Sequence, residues 1–141
     1  MRMQTPQRQH GFSAVEFVFT LPILLMLVAI FGELGNLYIQ HTTLTKAVQD
    51  GGRWAVNGVV GTTGGIAATD EIKNLVVYGK ISAGSSAVLK TFTTADVTIS
   101  ESGNFVTVSA SYDYTPIFLN IPYVTTNFNM TLNASSVMRT K

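Results

Sequence analysis

The longest apolar stretch of the chain lies in its first third. No residue between Glu16 and Glu33 is charged, and Thr20 is the only polar side chain in residues 17–32. As an α-helix these residues would extend roughly 24 Å, whereas a bilayer core takes about 20 helical residues. The pattern predicts a membrane-spanning helix completed by residues 12–15 or 34–37, with one of the two glutamates near the hydrocarbon edge.

The helical pattern continues beyond Glu33. Polar residues such as Lys46, Gln49 and Arg53 are spaced so that they share no face with the apolar positions. A repeat of this kind indicates an amphipathic helix, so we predict one helix from about Phe12 to Ala55, with its first half in lipid. Mostly apolar or small residues recur in steps of four and three and form one face, which we call the seam: Leu37, His41, Leu44, Val48, Gly51 and Ala55.

Pro22 stands inside the apolar run. Proline removes one helical hydrogen bond and crowds the carbonyl four residues earlier, that of Val18. A kink at a contact between helices is one interpretation, and the general abundance of proline in membrane helices is the other.

The pattern changes after residue 56. Residues 57–65 contain four glycines and no periodicity, which indicates a loop, and they lack the Gly-Lys-Ser or Gly-Lys-Thr of a phosphate-binding loop. Thr69 is placed to cap a short helix that runs to about Tyr78, with Gly79 after its end. The buried side of this helix is predicted to consist of Ile72, Leu75 and Val76.

Alternation with a period of two dominates the rest of the chain. Apolar residues alternate with polar ones in residues 97–99, 106–114 and 128–134, and a Ser102-Gly103-Asn104 turn separates the first two stretches. Strands with one apolar face form an antiparallel sheet that packs on a helix. The sequence therefore predicts an α+β fold, in which a long N-terminal transmembrane and stalk helix packs against a small antiparallel sheet. The apolar connection between Pro116 and Pro122 is predicted to cover a sheet edge or to contact another subunit.

Charge sets the predicted orientation and excludes one class of partner. Arg2, Arg8 and His10 precede the apolar run, so the positive-inside rule places the N-terminus in the cytoplasm and exports the rest. No small-x-small site follows the run, which favours a retained anchor over a cleaved secretory signal. The formal net charge is +1 with scattered Lys and Arg, so no nucleic-acid partner is predicted. The absence of cysteine excludes disulfides, thiolate metal ligands and thiol nucleophiles.

A glycine and a phenylalanine precede the first glutamate at a short distance. Gly11 is followed by Phe12, and Glu16 is the fifth residue counted from Phe12, ahead of an apolar helix. This arrangement resembles the class III signal of type IV pilins and pseudopilins. The resemblance implies that a prepilin peptidase cuts between Gly11 and Phe12 on the cytoplasmic side and leaves the apolar helix on the mature chain.

A longer string narrows the resemblance. Residues 11–56 contain VEF, a following Leu-Pro, ELG after the apolar run, and an Ala-x-x-x-Gly-x-Arg ending. The string is similar to the TadE-like pseudopilins of tight-adherence (Tad/Flp) pilus systems, and ASSVMR near the C-terminus resembles the close of that family's domain. Type IVa pilins share the cleavage site but lack the Glu-Leu-Gly and Gly-x-Arg pattern. The resemblance implies four partners: a prepilin peptidase, other pilin and pseudopilin subunits, an inner-membrane assembly platform and the lipid bilayer.

The resemblance also gives Glu16 a role. It implies that Glu16 pairs with the α-amino group of Phe12 on a neighbouring subunit, a group whose ordinary pKa is about 7.7–8. A buried carboxylate costs about 2.5–3.5 kcal/mol on insertion and gains from a positive partner. The alternative is a carboxylate at the membrane interface, favoured there by the helix dipole. Glu33, roughly 25 Å further along the helix, is expected to be solvated at the headgroups; a polar contact with another pilin helix is the alternative.

Few residues could support catalysis, and we expect no enzyme activity, cofactor or metal. Loss of a leader containing His10 would leave His41 alone, which is too few histidines for a His-based metal site and points to a packed or surface residue. Asp70 and Glu71 fit first-turn charges of a helix better than an acid/base pair. A group of aromatic residues is expected to be core, with a ligand platform as the alternative: Tyr112, Tyr114, Phe118, Tyr123 and Phe128.

These expectations combine into one hypothesis. Residues 1–11 form a cleaved leader, 12–36 the transmembrane helix, 37–56 the stalk helix, and 57–141 an exported domain with about three strands. The function implied is that of a noncatalytic minor pseudopilin in assembly or priming of an adhesive pilus, held in the bacterial inner membrane or incorporated into the pilus. The alternatives are a membrane-anchored binding or enzymatic module and a pseudopilin of a secretion or DNA-uptake machine.

Overall fold

A computed structural model describes residues 10–57, 66–117 and 130–140, with side chains from Ala14 onward in the first of these ranges. The elements are helix α1 (His10–Asn57), helix α2 (Thr69–Tyr78), a single 3-10 turn (Thr94–Asp96), and strands β1 (Val97–Ser102), β2 (Phe105–Asp113) and β3 (Thr131–Arg139). The predicted α+β fold, with one long helix against a small antiparallel sheet, is confirmed.

Helix α1 is continuous over 48 residues and passes through Pro22 without ending. Its first half is apolar and uncovered: the side chains of Phe17, Ile23, Leu27 and Phe31 are all exposed. By length and composition α1 could cross a membrane, and none of its most apolar 18-residue window is buried by the rest of the chain. The second half of α1 packs instead on α2, β2 and β3.

The packed face of α1 follows the seam with one correction. Leu44, Val48 and Ala55 are buried in the core, and Leu37 packs against it. His41 is exposed, whereas Gln40 is half-buried. Both positions lie about one turn before Leu44, so periodicity alone allows either residue to face the domain. The side of α1 that the domain covers decides which of them is buried. The backbone of Thr115 lies against Gln40, so the seam passes through Gln40.

Two adjacent glycines let other elements approach α1 closely. A Cβ on Gly51 would overlap the Val76 side chain of α2, and a Cβ on Gly52 would lie 3.0 Å from Ser136 Oγ in β3. A larger residue at Gly51 would therefore force Val76 or its helix to shift. At Gly52 the side chain of Ser136 would have to move by a few tenths of an ångström. The glycine pair therefore sets the spacing of α1 to α2 on one side and to β3 on the other.

Helix α2 differs slightly from its prediction. Ala68 occupies the N-cap position without a side-chain hydrogen bond, and Thr69 is the first helical residue, so the predicted cap by Thr69 is wrong. Gly79 ends the helix at φ 67° and donates its N–H to the Leu75 carbonyl at 2.9 Å. This left-handed conformation suits glycine. The buried residues are Ile72, Val76 and Val77, while Leu75 is half-buried.

The sheet is three-stranded and antiparallel in the order β1-β2-β3. Its inner face is apolar, and Val106, Val108 and Tyr112 of β2 are buried against the helices. Its outer face is mostly polar, although Phe105 and Val137 are also exposed on it. The polar residues of this face are exposed or half-buried: Thr98, Ser100, Thr107, Ser109, Ser111, Asn133 and Ser135. The prediction of one apolar and one Ser/Thr/Asn face is confirmed.

The third strand begins and ends later than its alternation predicted. Strand β3 covers Thr131–Arg139 instead of residues 128–134, and it pairs along the full length of β2, from Asp113↔Thr131 to Phe105↔Arg139. Strand β2 offers backbone hydrogen-bond partners as far as Phe105, so β3 continues through Ser135 and Ser136 although these two polar residues break the apolar alternation. Met130 is exposed, and Phe128 lies outside the described residues. The glycine-rich segment after Asn57 and most of the connection between Pro116 and Pro122 also lie outside them.

Candidate functional site

The most densely bonded polar group of the described structure surrounds Glu33. Its side chain is only 3% exposed. The Tyr114 hydroxyl donates a hydrogen bond to the Glu33 carboxylate, and the Ile117 backbone N–H lies 3.2 Å from each carboxylate oxygen. Tyr114 follows β2 directly, so the end of that strand brings both donors to α1. We call the residues that meet here the Glu33 cluster: Glu33, Asn36, Gln40, Tyr114, Thr115 and Ile117.

Two amide side chains of α1 extend the cluster along the helix. Asn36 donates to the Tyr114 hydroxyl at 3.0 Å and to the Thr115 carbonyl at 3.2 Å. Gln40, one turn later, donates to the same carbonyl at 2.9 Å and accepts the Thr115 N–H at 3.3 Å. The side-chain oxygen of Thr115 in turn lies 2.6 Å from the Tyr112 hydroxyl. Successive turns of α1 are thereby bonded to one backbone segment.

The electrostatics of the cluster keep Tyr114 protonated. Burial raises the pKa of the Tyr114 hydroxyl to about 12, and the hydrogen bond to Glu33 acts in the same direction. Because Tyr114 is buried between the helix and the sheet end, its O–H remains a donor throughout the physiological pH range. A carboxylate that accepts an O–H and a backbone N–H keeps hydrogen bonds that replace its hydration. These hydrogen bonds therefore offset the cost of burying Glu33.

The expectation that Glu33 is solvated at the headgroups is wrong for this chain, because the domain covers that carboxylate. The sequence contained a signal for this outcome. Extended towards the N-terminus by one step of four, the seam passes from Leu37 to Glu33, so the helix face that packs on the domain presents a carboxylate. Its partners Tyr114 and Ile117 lie more than 80 positions away, and no periodic pattern links them to Glu33.

The other predicted site residues lie far from this cluster. Gly11 and Phe12 are in the first turns of α1, whose side chains are not described. Glu16 and Pro22 are exposed on the apolar half of the helix, and the Glu16 carbonyl accepts the Thr20 hydroxyl at 2.8 Å. The structure thus leaves Glu16 on an outer surface and separates it from Glu33 by roughly 25 Å of helix. The cleavage, pairing and helix-interface roles of these residues stay predictions.

The described residues offer little for catalysis. No group of three or more His, Asp or Glu side chains within them could hold a metal ion. His41 is exposed, and Glu71 accepts the Trp54 indole N–H at 3.3 Å from the first turn of α2. Of the aromatic group, Tyr112 and Tyr114 are buried. Phe118, Tyr123 and Phe128 lie outside the described residues.

Comparison with known proteins finds a family match within helix α1. Residues 11–53 match the model of a family described as TadE-like protein. No curated protein and no solved structure matches the chain. The matched segment contains Gly11, Glu16 and Glu33, and its end at Arg53 falls inside α1. The partners of Glu33 at positions 114–117 lie outside the match.

Proposed function

We propose that this TadE-like protein is a noncatalytic minor pseudopilin that takes part in the assembly or priming of a tight-adherence pilus. One observation carries the proposal: the family match at residues 11–53 and helix α1 at His10–Asn57 nearly coincide. The segment typical of the family is therefore a single helix with two kinds of surface. Its first half exposes apolar side chains, and its second half carries a small folded domain.

The exposed half of α1 supports a place in lipid or among the helices of other subunits. A contiguous apolar surface of this extent on a folded chain marks an interaction with a membrane or a partner. We propose that the helix holds the protein in the bacterial inner membrane with the N-terminus in the cytoplasm and the domain exported. The proposed partners in assembly are other pilin subunits and the inner-membrane assembly platform.

Processing is proposed at the start of the helix. A prepilin peptidase would cut between Gly11 and Phe12 and create a new α-amino group with an ordinary pKa of about 7.7–8. Glu16 follows that amine by about one helical turn, or roughly 6 Å along the axis. Since the Glu16 side chain is exposed on α1, it is available to a neighbouring subunit. We propose that it pairs there with the amine of Phe12.

The test follows this protein in cells that assemble the pilus, by mass and by its recovery in sheared filaments. The mature chain should begin at Phe12, with seven basic minus eight acidic side chains, or −1, after loss of Arg2 and Arg8. Glu16→Gln should still be cleaved and inserted, because a neutral side chain is cheaper to insert. Its recovery in filaments should fall at least tenfold, because an unpaired buried charge costs about 3–5 kcal/mol.

Glu101→Gln is the matched control, since Glu101 is an exposed carboxylate of β1 and lies outside the helix. It should be recovered like wild type. Glu33→Gln cannot serve as the silent variant, because Glu33 is buried. A native chain that retains Arg8 would contradict the proposed processing. Equal filament recovery of Glu16→Gln and wild type at equal membrane levels would exclude the pairing role.

A further inference from the structure

The Glu33 cluster brings one end of the exported domain to the outer end of the apolar helix. The Ile117 N–H is 3.2 Å from the Glu33 carboxylate, so the backbone at Ile117 lies beside α1 at the level of that carboxylate. Side chains of an α-helix point towards its N-terminus. The Glu33 carboxylate, and Ile117 with it, therefore lies closer to the apolar half than the Glu33 backbone does.

The length of the apolar run would bring this level to the edge of a bilayer. If the hydrocarbon begins near Ala14, a thickness of about 30 Å corresponds to about 20 helical residues and ends near Glu33. Tyr38, slightly more than one turn later, is 71% exposed. Exposed tyrosines are typical of the headgroup layer, just beyond the hydrocarbon. The length of the apolar run and the exposed Tyr38 both favour an outer boundary between Glu33 and Tyr38.

The surface at this level is apolar on both sides of the helix. Phe31 and Leu34 are exposed on the side of α1 away from the domain. On the side of the domain the seam itself would present Glu33, but Tyr114 and the Ile117 backbone cover that carboxylate. The Ile117 side chain is 60% exposed there. The domain thus covers the charged Glu33 and exposes the apolar Ile117 side chain at this level. A charge exposed to lipid there would be costly.

We propose that the exported domain lies against the outer leaflet of the membrane, with the Ile117 side chain at the edge of the hydrocarbon. The Glu33 cluster holds it there. We infer that lipid covers the surface formed by Phe31, Leu34 and Ile117, because this surface continues the exposed apolar half of α1. The polar groups beside it already form hydrogen bonds within the chain. The inference rests on the proposed membrane anchoring and adds a fixed height and orientation of the domain above the bilayer.

The test measures the depth of single nitroxide labels on the full chain in nanodiscs of phosphatidylethanolamine and phosphatidylglycerol. The chain has no cysteine, so one introduced cysteine is labelled without any other change. Ile117→Cys keeps the backbone N–H that binds Glu33. We expect its nitroxide to be accessible to oxygen, which dissolves in lipid, and severalfold less accessible to a water-soluble nickel chelate than a label on the outer part of the domain.

Val137→Cys is the matched control. Val137 is a β-branched residue with the same exposed fraction of 60%. Thr131 pairs with Asp113 at the end of β2 that leads to Ile117, and Val137 lies six positions further along β3. Val137 is therefore roughly 20 Å further from the proposed membrane surface than Thr131. Leu24→Cys, in the middle of the apolar run, reports on insertion. Ile117→Trp in a Trp54→Phe chain, quenched by brominated lipid, repeats the measurement without a nitroxide.

The outcomes separate the two proposals. Nickel accessibility at Ile117 equal to that at Val137, with Leu24 protected, would overturn the docking and leave the anchoring intact. Protection of Ile117 from both nickel and oxygen would show that protein, such as a second copy, covers the surface, and would also overturn the docking. Nickel accessibility at Leu24 would contradict the anchoring itself.

Discussion

Glu16 and Glu33 bracket the same apolar run, but the folded chain gives them different surroundings. Glu16 is exposed on the helix, and none of the side chains that the structure describes forms an ion pair with it. Glu33 is covered, and its hydrogen bonds come from the end of β2 and the residues after it. The residue that decides this difference is Tyr114, because its hydroxyl bonds both Glu33 and Asn36.

The protonation of Tyr114 predicts a dependence of stability on alkaline pH. Its pKa is raised from 10.0 to about 12 in the folded chain. A group with a raised folded pKa stabilises the fold fully below its unfolded pKa and loses that contribution as the pH passes through the folded one. The difference in unfolding free energy between wild type and Tyr114→Phe should therefore be largest below pH 10 and decline towards pH 12.

The measurement is denaturant unfolding of the full chain in detergent micelles, followed by the fluorescence of Trp54. At neutral pH Tyr114→Phe should lose about 1–3 kcal/mol, the typical cost of leaving a buried acceptor unsatisfied. Tyr38→Phe is the matched control, because Tyr38 is 71% exposed, and it should be neutral at every pH. A Tyr114→Phe difference that does not change between pH 8 and pH 12 would contradict the assigned role.

At the scale of elements, α1 organises the domain through one face. The seam runs from Glu33 through Leu37, Gln40, Leu44 and Val48 to the Gly51–Gly52 pair, and it meets the sheet and α2 in turn. Apolar contacts dominate this face from Leu44 onward. Hydrogen bonds dominate it between Glu33 and Gln40, nearest the apolar run. At the Gly51–Gly52 pair a Cβ atom would meet side chains of α2 and β3.

Two glycine substitutions in the same helix should have opposite effects. Gly51→Ala places a methyl group against Val76, and overpacking of this kind costs about 1–3 kcal/mol. Gly35→Ala meets nothing within 4 Å and should stabilise by up to about 1 kcal/mol, the helix preference of alanine over glycine. Unfolding of the full chain in micelles measures both. A stabilised Gly51→Ala would show that α2 is not held tightly against α1.

At the scale of the whole molecule, one helix joins two parts with different surfaces. The apolar half leaves its side chains uncovered, whereas the other half shares a core with the sheet and α2. The Glu33 cluster lies where the two parts meet and is the lowest bonded contact between α1 and the described domain. Its loss should loosen that end of the domain without dissolving the core around Leu44 and Val48.

Truncation separates these contributions. A chain beginning at Leu37 should fold as a monomeric α+β domain, because the seam and the sheet bury one another without the apolar half. A chain beginning at Gly32 retains Glu33 and Asn36 and should melt several degrees higher, as expected for an additional 1 kcal/mol or so in a small domain. The measurement is thermal unfolding by circular dichroism, with sedimentation to establish the monomer.

The control is Glu33→Ala in the longer chain, which should melt near the temperature of the shorter one. Equal melting temperatures of the two unmodified chains would show that the cluster does not stabilise the domain. Aggregation of both, without cooperative melting, would mean that the domain needs other subunits to complete its core.

The sequence by itself determined the two α-helices, the three strands and their order. A long uncharged run, a seam of period 3.6 and strands of period two are local patterns, and they predicted α1, α2, the β1-β2 turn and the two-sided sheet. The family resemblance was likewise readable from residues 11–56, because its string lies within one helix. Local periodicity misplaced two element ends, the bounds of β3 and the cap of α2, because pairing partners and neighbouring backbone decide such boundaries.

Only the tertiary structure decided the environment of Glu33. Its donors at Tyr114 and Ile117 are separated from it by 81 and 84 positions, and a pattern along the chain carries no information about such pairs. The same applies to Gln40 in place of His41, which depends on the side of the helix that Thr115 approaches, and to the close approach at Gly51. Periodicity predicts, with an error of about one residue, which face of a helix is covered. The residues that cover this face are decided by contacts between distant parts of the chain, which form only in the tertiary structure.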